Sequence, residues 1–188
     1  RMFGLHGWPA LPEGVVGSCP GPLLAATDSF EIEVRGVGGH AAMPHHTVDP
    51  IAASATIINA MQQAVSRQVD PVMGGVVSVT MIHAGSAFNV IPESCSMRGT
   101  VRALYPEAQE ILRNAVKSIP GDIARALRCE ATVNYHNGYP ITRNDDATTA
   151  HFHDLAREVL GDERVAPLEF PVMGGEDFSY YCEIVPSC

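Results

Sequence analysis

The sequence predicts an α+β protein in which a ferredoxin-like βαββαβ domain is inserted into parts of an α/β domain. Strand, helix, strand, strand, helix and strand follow one another over about residues 28–136, which is the split βαβ order. Apolar residues make up 46% of the 188-residue chain, enough for a packed core. The flanking segments form no obvious core of their own. We therefore expect three segments, residues 1–26, 27–140 and 141–188, of which the outer two belong to the interrupted domain.

The first half of the inserted domain is predicted from a strand and a capped helix. Residues 29–35 alternate apolar and polar side chains with the period of a half-buried strand. Asp49 supplies an N-cap and Pro50 a first-turn proline for a helix that extends to about Gln68. Its predicted apolar stripe has helical spacing and comprises Ile51, Ala55, Ile58, Met61 and Val65.

The second half is predicted from the same kinds of pattern. Strands at residues 76–82 and 94–104 are joined by a short glycine-containing connection, which indicates antiparallel neighbours. A second helix begins near Pro106, and we expect Pro120 to kink or split it because proline lacks the backbone N–H. Residues 130–135 form the fourth strand.

Charge and cysteine content exclude several classes of protein. A net charge of −9 argues against nucleic acid and anionic membrane surfaces as partners. No apolar run reaches the roughly 18–20 residues that span a bilayer. The five cysteines are widely spaced and contain no CxxC pair, which favours reduced thiols and a cytoplasmic protein. The chain starts without methionine, and we expect it to be a fragment.

Three side chains have both a functional and a structural interpretation when the residues are considered alone. His40 follows two glycines on a loop, a position that suits chemistry on a rigid scaffold. His6 is either a metal ligand or a strand-end histidine that only forms hydrogen bonds. Arg102 is either an anion-binding group or a solvated strand-face charge, as we expect Arg98 to be. Glu176 and Asp177 are interpreted as helix-start acids, which the helix dipole favours.

Five motifs in order bring these residues together. They are Gly-Leu-His at 4–6, Gly-Val-Gly-Gly-His-Ala-Ala-Met-Pro-His at 36–45 with Asp-Pro at 49–50, Phe-Asn-Val-Ile-Pro at 88–92, Gly-Thr-Val-Arg at 99–102, and Met-Gly-Gly-Glu-Asp-Phe at 173–178. Together they resemble the M20 family of metallopeptidases and amidohydrolases, in its branch of hippurate hydrolase-like and auxin-conjugate hydrolase-like enzymes. The resemblance covers essentially the whole chain.

This resemblance implies a catalytic α/β domain that holds two divalent metal ions and an inserted lid that also dimerises. It implies that His6 is a metal ligand, and an imidazole suits Zn²⁺, Mn²⁺, Co²⁺ or Ni²⁺. It also implies that His40 reaches the active site of a neighbouring subunit, where it stabilises the developing oxyanion.

The resemblance further implies a set of residues that bind the substrate. Asn89 and Arg102 match the lid residues that hold it, and the arginine fork suits the carboxylate of an N-acyl amino acid. Gly174 and Gly175 would donate backbone N–H groups to the same carboxylate.

The expected activity is metal-dependent hydrolysis of the amide bond of an N-acyl amino acid or small peptide, by a homodimer joined through the lid. The resemblance also implies a Cys/His motif and a Glu-Glu pair before His6 and a last histidine after Glu176, none of which this sequence contains. We therefore expect this chain to lack a full metal site and to be inactive alone. The alternative is a non-catalytic dimerisation or binding module, which would have no use for a metal ligand such as His6.

Overall fold

The computed structural model describes residues 1–168 and 171–188. The chain divides into two compact units. The inserted unit comprises residues 28–138, and the outer unit comprises residues 1–27 and 139–188.

The described residues contain ten strands, four α-helices and two short 3-10 turns, Pro44–His46 and Asp162–Arg164. In chain order the strands and α-helices are β1 Val16–Ser18, β2 Gly21–Leu24, β3 Ala26–Arg35, β4 Gly39–His40, α1 Pro50–Arg67, β5 Gly75–Ala84, β6 Val90–Ile91, β7 Ser94–Ala103, α2 Pro106–Ala126, β8 Glu130–His136, β9 Thr142–Asn144, α3 Asp146–Leu160, β10 Val165–Pro167 and α4 Ser179–Cys182.

The inserted unit is built on a four-stranded sheet of order β5-β7-β3-β8. Strand β3 pairs antiparallel with β8, and β5 pairs antiparallel with β7. Because β3 and β7 are neighbours while β5 lies outside them, the sheet has the split βαβ arrangement. The predicted ferredoxin-like βαββαβ fold is thus confirmed.

The core of the inserted unit lies between one face of this sheet and helices α1 and α2. Buried and exposed residues alternate along β3 and β7, as the predicted strand period requires. The largest buried side chains come from β3, α1, β7 and α2. They are Phe30, Ile32, Val34, Ile57, Met61, Met97, Val101, Leu112 and Val116.

Helix α1 begins and ends as predicted, but the predicted apolar stripe is wrong at its first two members. The Asp49 side chain accepts hydrogen bonds from the backbone N–H groups of Ile51 and Ala52 and so caps the helix. Ile51 is 43% exposed and Ala55 is also exposed. The buried face includes the small residues Pro50, Ala53, Ser54 and Ala64 as well as Ile57 and Met61. Small side chains let the helix approach its neighbours closely, and hydropathy spacing does not reveal this preference.

Helix α2 continues through Pro120, so of the two expected outcomes, a kink or a split, the split does not occur. Proline removes one backbone donor, but Pro120 itself is buried among the packed residues of the helix. Packing of Leu112, Val116 and Ala124 on either side of it outweighs the loss of one hydrogen bond.

The outer unit contains two small strand pairs. β1 pairs parallel with β10, and β2 pairs antiparallel with β9. Helix α3 is capped by Asp145, whose carboxylate accepts from the Thr148 N–H at 2.8 Å. The two ends of the chain meet, since the Gly4 N–H donates to the Cys188 carbonyl at 3.0 Å. Among the described residues, helices that could cross a bilayer are absent.

Two glycines of the inserted unit provide a matched test of this packing. A Cβ at Gly99 in β7 would lie 2.2 Å from the Ser78 carbonyl oxygen and 2.3 Å from Cζ of Phe30, whereas a Cβ at Gly121 in α2 would meet nothing within 4 Å. We expect Gly99→Ala to lower the free energy of unfolding by about 1–3 kcal/mol through overpacking.

Gly121→Ala should raise the same free energy by about 0.5–1 kcal/mol, because alanine costs less conformational entropy in a helix. Urea unfolding of both variants measures the two changes in the free energy of unfolding. Changes of the same sign in both variants would contradict the packing described for the sheet.

Candidate functional site

His6 and Glu176, the first candidate pair, lie in the outer unit. The Nδ1 atom of His6 is hydrogen bonded to Oε2 of Glu176, although 170 residues separate them. The His6 side chain is 52% exposed and that of Glu176 is 21% exposed. Residues 2–4 are held beside the end of the chain by a bridge from Met2 to Ser187, which brings His6 to the turn that carries Glu176.

The Glu176 carboxyl group is biased towards its ionised form. Burial acts to raise its pKa, but hydrogen bonds from His6 and from the backbone N–H of Phe178 hold the pKa below its usual value. The second carboxylate oxygen, Oε1, accepts from the Phe178 N–H at 3.4 Å. Glu176 is therefore an anion in contact with an imidazole.

Sequence reasoning missed the contact of Glu176 with His6. It was interpreted as a helix-start acid, but the helix that follows, α4, begins only at Ser179 and has four residues. Nothing in spacing or periodicity relates positions 6 and 176, because tertiary pairing of the chain ends brings them together. The available signal was the position of Glu176 directly after Gly174 and Gly175.

Gly174 and Gly175 precede this glutamate on an irregular segment. The Gly174 carbonyl accepts from the Ala25 N–H at 2.8 Å. A Cβ at Gly175 would lie 1.9 Å from Cγ2 of Thr27, so this position requires glycine for close packing. Hydrogen-bond acceptors for the Gly174 and Gly175 N–H groups are absent from the described part of the chain, which leaves both donors available.

A metal ion needs more ligands than this pair provides. His6 and Glu176 are of ligand type, but residues 1–168 and 171–188 contain no group of three His, Cys, Asp or Glu side chains that could hold a metal. Catalytic zinc sites use three protein ligands. The described residues therefore do not fit a metal site by themselves, and His6 directs Nδ1 at a carboxylate instead.

His40 and Asn89, the second candidate pair, lie in the inserted unit. Strands β4 and β6 pair antiparallel, with His40 opposite Val90 and Gly39 opposite Ile91. The Ala41 N–H also donates to the Asn89 carbonyl at 3.0 Å. These backbone bonds fix His40 beside Asn89, and both side chains are exposed.

The His40 ring is held in one tautomer. Its Nδ1 accepts the Ala42 N–H at 3.1 Å. In the neutral imidazole the proton is therefore on Nε2, which is left as a donor. A donor held in place before the substrate binds is the group that a developing oxyanion requires.

Gly38 and Gly39 support this loop by allowing close backbone packing. Neither has a positive φ angle. A Cβ at Gly38 would lie 2.9 Å from the Ile91 carbonyl oxygen, and one at Gly39 would lie 2.8 Å from Cγ2 of Thr47. The two glycines therefore allow β4 to pack closely, and their conformational freedom is not used.

Phe88 precedes Asn89 and is the most exposed large apolar side chain of the inserted unit. Its relative exposure is 102%. The loop that carries it is ordered by the Ala41–Asn89 bond and by a 3.4 Å bond from the Val90 N–H to the Ala87 carbonyl.

Arg102 lies apart from His40 and Asn89. It occupies β7 eight residues after Ser94, and eight strand residues span about 26 Å. In the described residues it forms no ion pair, whereas Arg98 on the same strand is paired with Glu31 at 2.8 Å. The structure thus brings His40 and Asn89 together but leaves Arg102 towards the other end of β7.

Comparison with known proteins identifies the family. The model of the peptidase dimerisation domain of the M20 family matches residues 27–127. The chain is 41% identical to the IAA-amino acid hydrolase ILR1-like 2 of Arabidopsis thaliana, over 98% of this chain and 42% of that protein. It is 38% identical to an N-acetylcysteine deacetylase of Bacillus subtilis, over 98% of this chain and 48% of that protein.

A solved structure agrees with these relatives. The YXEP protein of Bacillus subtilis, a dinuclear metal binding peptidase from the M20 family, superposes with a TM-score of 0.78 at 31% identity, over 99% of this chain and 46% of that one. The chain belongs to the M20 family and contains its dimerisation domain. It spans about half the length of the curated relatives it matches.

Proposed function

We propose that this chain is part of a metal-dependent M20 amidohydrolase that cleaves the amide bond of N-acyl amino acids or small peptides. The observation that carries the proposal is the β4–β6 pairing, which holds the Nε2–H donor of His40 beside Asn89. The relatives named above act on an IAA-amino acid and on N-acetylcysteine, and both substrates are N-acyl amino acids. In a cytoplasmic enzyme of this class the five cysteines would remain free thiols, as they are here.

Each candidate residue has a role in this proposal. His40 donates to the oxygen that becomes negative as the amide carbonyl is attacked, and Asn89 orients the same group. Arg102, which forms no ion pair among the described residues, binds the substrate carboxylate, and the N–H groups of Gly174 and Gly175 are also assigned to that carboxylate. His6 is one ligand of a divalent metal pair of the Zn, Mn, Co or Ni class, whose other ligands lie outside this chain.

The domain assignment follows the same proposal. We assign residues 27–140 to the lid and dimerisation domain, and residues 1–26 and 141–188 to the catalytic domain. The match of the dimerisation-domain model to residues 27–127 supports the first assignment. The His6–Glu176 pair, which contains the proposed metal ligand, supports the second.

The separation of Arg102 from His40 favours a site shared by two copies of the chain. Arg102 lies eight strand residues, about 26 Å, from Ser94 at the end of β7 nearer Asn89, which exceeds the length of an N-acyl amino acid. One substrate would therefore meet Arg102 of one copy and His40 with Asn89 of the other. The outer edge of β5 suits such a homodimer, because residues 80–84 are exposed at an unpaired sheet edge and include Met81 and Ile82.

The first experiment compares this chain with the longer gene product that contains it. We expect the longer protein to hydrolyse N-acetyl or N-benzoyl amino acids, to lose activity on chelation, and to regain it with Zn²⁺, Mn²⁺, Co²⁺ or Ni²⁺. The 188-residue chain should show no turnover, because its described residues offer only two clustered ligands. Turnover by the 188-residue chain would contradict the proposal that the other metal ligands lie outside it. A longer protein that binds metal but does not hydrolyse these substrates would favour a binding module.

The second experiment substitutes Arg102 and Arg98 separately by lysine in the longer protein. Lysine keeps the charge but loses the bidentate fork, so Arg102→Lys should lower kcat/KM by roughly 10–100-fold, mainly through KM. Arg98→Lys is the matched control on the same strand, since its partner is Glu31. Equal losses in both variants would remove Arg102 from the substrate site.

The third experiment tests the dimer. Light scattering at micromolar concentration should give twice the mass of the 188-residue chain, and Ile82→Lys should shift it to the monomer because a charge would be buried at the edge of β5. Val159→Lys is the control, since Val159 is 77% exposed on α3 of the outer unit. A monomeric unsubstituted chain, or a monomer produced equally by Val159→Lys, would count against this interface.

A further inference from the structure

A hollow of about 550 Å³ opens on the surface of the inserted unit beside His40 and Asn89. It lies between the first turn of α1, the connection that follows β5, and strand β6. Most of its wall is apolar and includes Ala41, Ile51, Ala87, Phe88, Val90 and Ile91. We call it the Ile51 hollow. It borders the candidate pair, because Ala41 directly follows His40 while Phe88 and Val90 flank Asn89.

The large apolar side chains of this wall are not used by the core. Ile51 is 43% exposed, although α1 buries Ile57 and Met61. Phe88 and Val90 are exposed as well, and none of these three wall residues belongs to the buried core cluster of the inserted unit. Their apolar surface is therefore available to a ligand.

A second hollow, of about 490 Å³, shares the 84–86 connection but has a different chemistry. Its lining includes the polar side chains of His83, Ser86, Glu93 and Ser94. An apolar group gains free energy by leaving water for apolar surface, and it gains less where it covers polar groups. Of these two hollows, the Ile51 hollow is the one that suits an apolar ligand.

The position of the Ile51 hollow indicates which part of a substrate would reach it. In the proposed function the Nε2–H group of His40 donates to the amide carbonyl oxygen. The first carbon of the acyl group is bonded to that carbonyl carbon, so it lies within about 5 Å of Nε2. The amino-acid part of the substrate leaves the carbonyl carbon on the other side, through the amide nitrogen. The acyl group therefore begins beside the pair that the hollow borders.

Asp49 places a carboxylate in the same wall. Its Oδ1 accepts the Ile51 N–H at 2.8 Å, so the helix cap holds the charge at this position. A second carboxylate brought into the hollow would be repelled, because like charges at short range are disfavoured. An uncharged apolar group would instead gain from the surface that it buries.

We propose that the Ile51 hollow binds the acyl group of the substrate and selects an uncharged apolar group, such as benzoyl, over acetyl and succinyl groups. This inference rests on the proposed function, because it uses the position of the amide carbonyl at His40. Ile51 and Phe88 determine specificity by contacting the acyl group, and Asp49 disfavours acyl groups that carry a carboxylate. These three residues take no part in bond cleavage.

The test measures kcat/KM of the longer protein for the N-acetyl, N-succinyl and N-benzoyl derivatives of one amino acid. The unsubstituted enzyme should prefer the N-benzoyl to the N-acetyl compound by about 10–100-fold, since each extra apolar group held in such a site adds to discrimination. The N-succinyl compound should be the poorest substrate.

Ile51→Ala should lower the benzoyl-to-acetyl ratio of kcat/KM by about fivefold. It should keep the fold, because alanine is the strongest helix former at an exposed helix position. Phe88→Ala should lower the ratio in the same direction. Val72→Ala is the matched control, since Val72 is 85% exposed in the turn after α1 and lies outside the hollow, and it should leave the ratio unchanged.

Asp49→Asn separates the charge from the helix cap, because asparagine caps a helix about as well as aspartate. The succinyl-to-acetyl ratio of kcat/KM should rise by about tenfold when the negative charge is removed. The benzoyl-to-acetyl ratio should stay the same.

Several outcomes would overturn the acyl assignment while the amidohydrolase function stands. They are equal kcat/KM for the benzoyl and acetyl compounds, equal losses for both in Ile51→Ala, and an unchanged succinyl-to-acetyl ratio in Asp49→Asn. Dissociation of the Ile51→Ala variant to a monomer in light scattering would assign the hollow to a subunit contact instead. If Ile51→Ala does not fold, Phe88→Ala decides, because its side chain is fully exposed. Failure of the metal-loaded longer protein to hydrolyse all three compounds would reject the proposed function, and this inference with it.

Discussion

The antiparallel pairing of β3 with β8 is the interaction on which the rest of the structure depends. It joins the first and last strands of the inserted unit, and so it completes the four-stranded sheet that packs on a core including Phe30 and Ile32. The same pairing brings the two connections of the unit side by side. An insertion whose ends meet in this way interrupts the outer unit at a single place along its chain.

Functional groups in this chain lie where regular pairing stops. His40 belongs to a two-residue strand pair beside the main sheet, Asn89 lies in the turn directly before the partner strand, and Glu176 lies on an irregular segment before a four-residue helix. Where regular pairing stops, backbone N–H groups donate to side-chain acceptors. The Ala42 N–H donates to Nδ1 of His40, and the Gly138 N–H donates to Oδ1 of Asp28. The main sheet provides the rigidity that keeps such irregular segments in place.

Much of the fold could be predicted from local sequence patterns. A strand buried on one face alternates apolar and polar residues, and a helix start favours a capping residue followed by proline, as at Asp49 and Pro50. The errors came from effects that hydropathy does not record. The buried face of α1 is rotated towards Ala53 and Ser54 because close packing selects small residues. Helix α2 passes through Pro120 because packing on both sides of it outweighs one missing donor.

By itself the sequence determined the βαββαβ order, the family motifs and the kinds of side chain available for chemistry. Only the tertiary structure decided which of them meet. It brought His6 into contact with Glu176 and placed His40 beside Asn89. It placed Arg102 near the far end of β7, eight residues after the first residue of that strand. The physical reason is that strand and helix periods are local, whereas pairing between distant segments depends on the whole set of buried contacts and hydrogen bonds that close the chain.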